Sequence, residues 1–224
     1  MERGKLMSII LSPSVLSADF GHLAEIIDET EKAGSDWIHI DVMDGVFVPN
    51  LSFGFPIVRA IRKCTKLPLD VHLMITESEK YIEKFIESGA DIITFHAEAT
   101  KDIAQCIDLI NTNEKKAGLA IRPGTSYKTV LPYLDRLDMV LCMTVEPGYG
   151  GQKYLDEMND KIRLLRDTVG NDFLIQVDGG ITVANITEPI KAGANVIVAG
   201  SAVYSGSIED NIKELRCRMA CEII

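Results

Sequence analysis

No apolar run in this 224-residue chain reaches the ~20 residues that a membrane-crossing helix needs, so the chain reads as soluble. Its five cysteines are an odd number without a CxxC pair, which excludes a zinc-ribbon or dithiol redox motif and fits reduced thiols in the cytoplasm. Cys217 and Cys221, four apart on a predicted last helix, read as packing residues. Basic residues are scarce. Against 33 Asp and Glu there are 23 Lys and Arg, and the net charge of −10 is unfavourable for nucleic acid or an anionic membrane surface. An anionic substrate would then depend on a local pocket of backbone donors. The opening MERGKLMSII puts a short basic stretch before an apolar one, but the apolar part stops at Pro13 with no small-residue cleavage site. It reads as a first strand. Linkers and low-complexity segments are also missing. The loop after the first strand, SPSVLSADF, has no GxGxxG, which counts against an open dinucleotide-binding sheet.

With 46% hydrophobic residues the chain can bury one sizeable core. Eight apolar, β-rich runs recur: SIILSPSVL, WIHIDVM, LPLDVHLM, DIITFHA, GLAIR, DMVLCMTV, FLIQVDGG and NVIVAGSA. Between them lie stretches with helical spacing, among them HLAEIIDETEKAG, FPIVRAIRKC, SEKYIEKFIESGA, IAQCIDLINTNEKKAG and ITEPIKAGA. Gly34, Gly89, Gly118 and Gly193 are placed to cap such helices. Near-continuous apolar strands belong to parallel sheets covered on their outer side. Eight strand-helix units with short connections predict an α/β fold, a (β/α)8 TIM barrel, as one domain over residues 1–224.

Chemistry-bearing side chains gather near the ends of three of these runs. His39, Asp41 and Met43 alternate along strand two and share a face, as do Asp70, His72 and Met74 along strand three; strand seven ends in Asp178. In a barrel that face points inward, and its C-terminal end opens into the mouth. His39, Asp41, His72 and Asp178 therefore form a candidate site for one divalent metal ion. Two imidazoles and two carboxylates suit Zn first, with Fe, Mn or Co as alternatives, better than Mg or Ca. Strands two and seven lie three steps apart around an eight-stranded ring, so Asp41 and Asp178 approach a central ligand from different sides. Such a pair can take a proton from one face of a carbon and return one to the other. A metal holding a carbonyl oxygen and the neighbouring hydroxyl stabilises the enediolate that forms in between. The chemistry expected is inversion of configuration next to a ketone.

Three glycine-rich loops follow the later strands: Gly148-Tyr149-Gly150-Gly151, Gly179-Gly180 and Gly200-Ser201. Their backbone N–H groups can come close to an anion, and loops after strands seven and eight are the common phosphate site of barrels. Met43, Met74 and Met143 stand near strand ends as an apolar cover that keeps water off the enediolate. Asp70, one layer below His72, can accept a ring N–H and fix a ligand's tautomer. His22 reads as a solvated helix-start residue, and His96 has no paired partner in the sequence.

The segments SPSVLSADF, HIDVMDGVFVPNLSFG, DVHLM, TVEPGYGGQKY, VDGGI and AGSAVY follow in the order and spacing of the ribulose-phosphate 3-epimerase family, which the chain resembles almost end to end. The resemblance implies a ribulose-phosphate-binding barrel that interconverts D-ribulose 5-phosphate and D-xylulose 5-phosphate in the pentose phosphate pathway, as a homo-oligomer, dimer or hexamer. It implies that Asp41 accepts the proton and Asp178 donates one, and that Ser14 and His72 contact the sugar. It assigns the rest of the substrate and its phosphate to the backbone of Gly148 to Gly151, Gly179, Gly180, Gly200 and Ser201. Tyr149 and Tyr154 stand where the family has phenylalanine, at the loop over the mouth, and the leader before Ser8 is slightly long. A related epimerase of a six-carbon ketose phosphate such as allulose 6-phosphate would share this catalysis and differ only around the sugar tail. Decarboxylases and aldolase-like synthases on similar barrels resemble a D-x-K-x-x-D pattern, whereas strand two here reads DVMDG, without lysine. A silent sugar-phosphate binder would have lost a carboxylate, and both are present.

Overall fold

The computed structural model describes residues 9–221, and all eight apolar runs form strands of one parallel sheet. The strands are β1 (Ile10–Pro13), β2 (Ile38–Met43), β3 (Leu69–Met74), β4 (Ile92–His96), β5 (Lys116–Ile121), β6 (Met139–Met143), β7 (Leu174–Asp178) and β8 (Val196–Ala199). They pair in the order β1-β8-β7-β6-β5-β4-β3-β2. A bridge between Ser14 and His39 draws the two ends together, and the N–H groups of Asp36 and Trp37 reach the Leu11 carbonyl at 3.1 and 3.3 Å. The result is a nearly closed TIM barrel.

Alternation along each strand sorts the side chains into two layers. Ile38, Ile40, Val42, Leu69, Val71, Leu73, Ile93 and Phe95 join the apolar layer beneath the helices. The opposite parity fills the barrel and is far more polar: Ser12, His39, Asp41, Asp70, His72, Thr94, His96 and Gln176 are all buried. Trp37, Ile92, Met139 and Val196 form an apolar plug at the N-terminal end of the strands.

The outer ring comprises α1 (Leu23–Lys32), α2 (Phe55–Cys64), α3 (Ile82–Glu87), α4 (Ile103–Thr112), α5 (Met158–Val169), α6 (Thr187–Ala192), α7 (Ser201–Tyr204) and α8 (Ile208–Ala220). α2 coincides with its predicted segment: Pro56 starts it, Arg62 and Lys63 close it, and Val58 and Ile61 are buried. Each of those two aliphatic side chains contributes roughly 1.5–3 kcal/mol on leaving water.

Four readings need correction. Between β5 and β6 the described chain forms 3-10 turns, Tyr127–Thr129 and Leu131–Arg136, in place of an α-helix. α4 stops at Thr112 instead of running on, because Glu114 turns into the left-handed region at φ 56° and the chain re-enters the sheet at Lys116. Gly118 therefore caps no helix. It faces Thr94 across the β4/β5 pair, where a Cβ would lie 2.3 Å from the Thr94 hydroxyl oxygen, so the position excludes any side chain. Gly34, Gly89 and Gly193 do end helices, at φ 100°, 109° and 114°. Cys217 and Cys221 are exposed, since α8 buries Ile208, Ile212, Leu215 and Met219 and the cysteines fall off that stripe. The leader before Ser8 lies outside the described residues.

At the N-terminal rim a side chain just ahead of each even-numbered strand accepts a backbone N–H from the strand before it. Asp36 takes Leu11 (2.7 Å), Asp91 takes Leu69 (3.0 Å), Asp138 takes Ala117 (2.9 Å) and Asn195 takes Ile175 (2.7 Å). Arg216 and Arg62 pair with Asp36 and Asp91 at 2.6 and 2.7 Å. These contacts tie neighbouring strands together at this rim.

Candidate active site

β2 and β3 run in a register that pairs His39 with Asp70, Asp41 with His72 and Met43 with Met74. Asp178, at the end of β7, pairs with Met143 of β6. One ligand atom from each of His39, Asp41, His72 and Asp178 lies within 4.8 Å of the others, and this cluster could hold a metal ion. His39 is the second residue of β2 rather than one near its end. Strand tilt explains the shift: β1 stops at Pro13 and Ser14 lies beside His39, so the middle of β2 is level with the end of β1.

Asp41 is the hub of the cluster. Its Oδ2 accepts the Ser14 hydroxyl at 2.6 Å, while its Oδ1 lies 3.2 Å from His39 Nε2 and 3.0 Å from His72 Nδ1. Burial opposes its ionisation, but His39 and His72 outweigh burial and hold the carboxyl far below the usual carboxylate range. Asp178 has weaker company: its Oδ2 stands 3.9 Å from His39 Nε2 and 3.7 Å from His72 Nδ1. Burial, together with the charge of Asp41, pushes its carboxyl up to about 6. The two carboxyls are thereby poised far apart, the arrangement that lets one site hold an acid and a base.

Burial alone would strip the proton from His39, yet the Asp41 and Asp70 carboxylates hold that ring well above the ordinary imidazole range. Asp70 Oδ2 lies 2.7 Å from His39 Nδ1 and accepts Gln176 Nε2 at 2.5 Å. The ring N–H expected to reach Asp70 from His72 thus comes from His39 instead, because cross-strand pairing sets those two side by side. His72 instead turns its Nε2 to His96 on β4, at 2.9 Å, and His96 Nδ1 lies 3.3 Å from Glu98 Oε2. Burial drives the His96 ring down to about 4. Burial works against Glu98 as well, but hydrogen bonds from His96, Thr125 and the Arg122 N–H bring it down to about 2. His22 sits in solvent beside Asp19 at 3.0 Å, as expected.

Above the cluster opens a cavity of about 130 Å³, lined by Ser14, Asp41, Asp178, the three methionines and the loops Gly148–Gly151, Gly179–Gly180 and Gly200–Ser201. His39 and His72 lie behind this wall. Among the described residues no Lys or Arg lines the cavity, whereas Ser17, Val145 and Thr182 do, unforeseen from the sequence. Gly180 sits at φ 69°, and a Cβ there would come within 2.4 Å of the Tyr154 backbone nitrogen, so this turn admits glycine alone.

Across the mouth the loop after β6 is tied to the loop after β2. The Tyr149 hydroxyl donates to the Pro49 carbonyl at 2.8 Å, and Asn50 Nδ2 donates to the Gly148 carbonyl at 3.0 Å. Tyr154 is buried and donates to Asn159 Oδ1 at 2.7 Å, pinning the same loop to α5. Phenylalanine could make neither hydroxyl bond. Tyr149→Phe is expected to speed amide exchange at residues 148–151 and to raise KM about two- to tenfold, the worth of one neutral hydrogen bond. Unchanged exchange and KM would show that the hydroxyl holds nothing closed.

A model described as the Ribulose-phosphate 3 epimerase family matches residues 10–204. The chain belongs to that family. Over 203 residues this epimerase is 49% identical to ribulose-phosphate 3-epimerase of Bacillus subtilis (strain 168), covering 89% of this chain and 94% of the relative. It is 48% identical over 203 residues to the ribulose-phosphate 3-epimerase of Synechocystis sp., covering 88% of each. Ribulose-5-phosphate-3-epimerase, chloroplastic, of Arabidopsis thaliana is 46% identical over 209 residues, covering 91% of this chain and 74% of the relative. Solved barrels with other names share the fold alone. The 3-hexulose-6-phosphate synthase of Salmonella typhimurium superposes with a TM-score of 0.72 at 16% identity, over 96% of this epimerase and 100% of that chain. A crystal structure of KGPDC from Streptococcus mutans gives 0.73 at 13% identity, over 94% and 97%. No helix among the described residues of the epimerase is long and apolar enough to cross a membrane.

Proposed function

We propose that this epimerase interconverts D-ribulose 5-phosphate and D-xylulose 5-phosphate by passing protons at C3 between two carboxyl groups on opposite sides of the sugar. The observation that carries the reading is the pair Asp41 and Asp178, brought from β2 and β7 to one point at the floor of a cavity and poised in opposite directions. The relatives' printed names support the pentose substrate.

The cluster fits a divalent cation. Two carboxylates are packed against two imidazoles with ligand atoms within 4.8 Å, and the far nitrogen of His39 is already engaged by Asp70. His39 Nε2, Asp41, His72 Nδ1 and Asp178 would hold one ion per subunit, zinc first, with iron, manganese or cobalt as alternatives. When bound, the ion supplies Lewis-acid stabilisation of the negative charge that develops on the ketose oxygens.

Asp41, ionised and steadied by Ser14, takes the C3 proton from one face. Asp178 delivers a proton to the other face, and in the reverse direction the two exchange roles. Met43, Met74 and Met143 keep water off the enediolate in between. With no basic side chain in the wall among the described residues, the phosphate rests on backbone N–H groups at Gly179, Gly180, Gly200 and Ser201, and Gly148–Gly151 closes over the rest. The setting we propose is the cytoplasm and the pentose phosphate pathway, with the chain assembled as a dimer or hexamer. Side-by-side assays of D-ribulose 5-phosphate and allulose 6-phosphate test the substrate: the pentose is expected to turn over faster, and faster turnover of the hexose reverses the assignment.

A further inference from the structure

We propose that His96 and Glu98 are positioning residues that lock His72 in the tautomer presenting a bare Nδ1 to the cation, which makes them part of the metal site without touching it. The inference rests on the metal reading above. His96 is fully buried on β4 and takes no part in the cavity wall. Its Nε2 faces His72 Nε2 at 2.9 Å, so one proton lies between the two nitrogens. Which ring owns that proton is decided one step further out. His96 Nδ1 faces Glu98 Oε2 at 3.3 Å, and an ionised carboxylate only accepts. The His96 proton therefore sits on Nδ1, its Nε2 is an acceptor, and the shared proton belongs to His72 Nε2. With a cation in place of the hydrogen that Asp41 Oδ1 would otherwise accept at 3.0 Å, His72 Nδ1 is then bare and aimed at the space between Asp41 and Asp178.

The far end of this chain is anchored. Glu98 Oε1 accepts the Arg122 N–H at 2.9 Å and the Thr125 hydroxyl. Phe47 packs on the His96 ring with centroids 4.9 Å apart, and the Arg122 guanidinium lies 4.1 Å from the Phe47 centroid on the loop side. His96 is wholly buried, so bulk water does not compete with it for the His72 N–H. Removing His96 would strand a buried N–H on His72 and free the ring to turn. The two ligand rings are thus fixed by different devices, His39 directly by a carboxylate and His72 through a second imidazole.

The test uses the zinc-loaded protein with Zn2+ itself as the probe, in competition with a chromophoric chelator. His96→Leu is expected to weaken Zn2+ binding about 10–100-fold, while His96→Gln, whose amide oxygen can still accept from His72 Nε2, stays within about threefold. In Co2+-loaded protein the visible bands should move for His96→Leu and not for His96→Gln. Long-range proton–nitrogen spectra of the zinc-loaded wild type should place protons on His72 Nε2 and His96 Nδ1, a readout that needs no variant to fold. The opposite tautomers, or a His96→Leu protein that binds Zn2+ as tightly as wild type, or equal losses in both variants, would overturn the inference. A wild type that takes up no Zn2+ removes the metal reading and this inference together, whereas tight Zn2+ binding in both wild type and His96→Leu removes only this one.

Discussion

Asp41→Asn and Asp178→Asn each leave the barrel folded and lower turnover by about 10²–10⁴-fold, the usual contribution of a positioned acid or base. Asparagine keeps the size of the side chain and one hydrogen-bonding oxygen, but it can neither take the C3 proton nor deliver one. At position 41 the amide oxygen can still accept the Ser14 hydroxyl, now 2.6 Å from the carboxylate, so the floor of the cavity keeps its shape. In the proposed scheme each carboxyl serves as base in one direction and acid in the other, so both directions should fall together in both variants. The losses should not add in the double variant, because the proton path is already broken once. Both residues belong to the candidate ligand set, so metal content measured on the same samples separates a lost acid from a lost ligand. Near-normal turnover in either variant, with metal in place, contradicts the scheme.

Stripping the metal with a chelator is expected to abolish turnover, and adding back Zn2+ or Co2+ to restore it. The same site predicts how stability responds to pH. Burial and the charge of Asp41 raise the Asp178 carboxyl to about 6 in the metal-free site, above its ordinary value of 3.8. A group raised in the folded state favours folding while it holds its proton, and that contribution is lost as pH rises through about 6. A cation takes the proton's place above that range, so the rise in Tm on adding Zn2+ should grow from about pH 5 to about pH 8. Protons should be released on binding, from Asp178 and from His39, which its two carboxylates hold well above the imidazole range. A thermal shift that is flat or shrinks with pH contradicts the cluster as the binding site.

The strands are legible in the sequence because each carries an unbroken apolar parity facing the helices, as in Ile38-Ile40-Val42 and Leu69-Val71-Leu73. The candidate cluster is legible in part because His39 and Asp41, two apart, must share the other face. What stays hidden depends on which residues stand opposite one another on neighbouring strands. Spacing along its own strand points Asp70 to His72, whereas register gives it to His39 across the pair. His96 has no partner until β4 lies beside β3, and only then does Glu98, two residues on, gain a purpose. Gly118 ends a plausible helical stretch, and its true constraint, the Thr94 side chain, comes from another strand. The rim clamps do leave a trace, the recurrent GSD, GAD and GAN ahead of β2, β4 and β8, but its meaning needs the paired strand that donates the N–H.

The most direct test of two carboxyl groups acting from opposite sides is hydrogen exchange at C3 during turnover in D2O, followed by NMR at low conversion. Ribulose 5-phosphate not yet converted should retain its hydrogen, while the xylulose 5-phosphate formed should carry deuterium, because the proton delivered by Asp178 comes from a group that exchanges with solvent. Product that keeps the original C3 hydrogen would mean that the atom removed is the atom returned, and the opposed pair would be wrong.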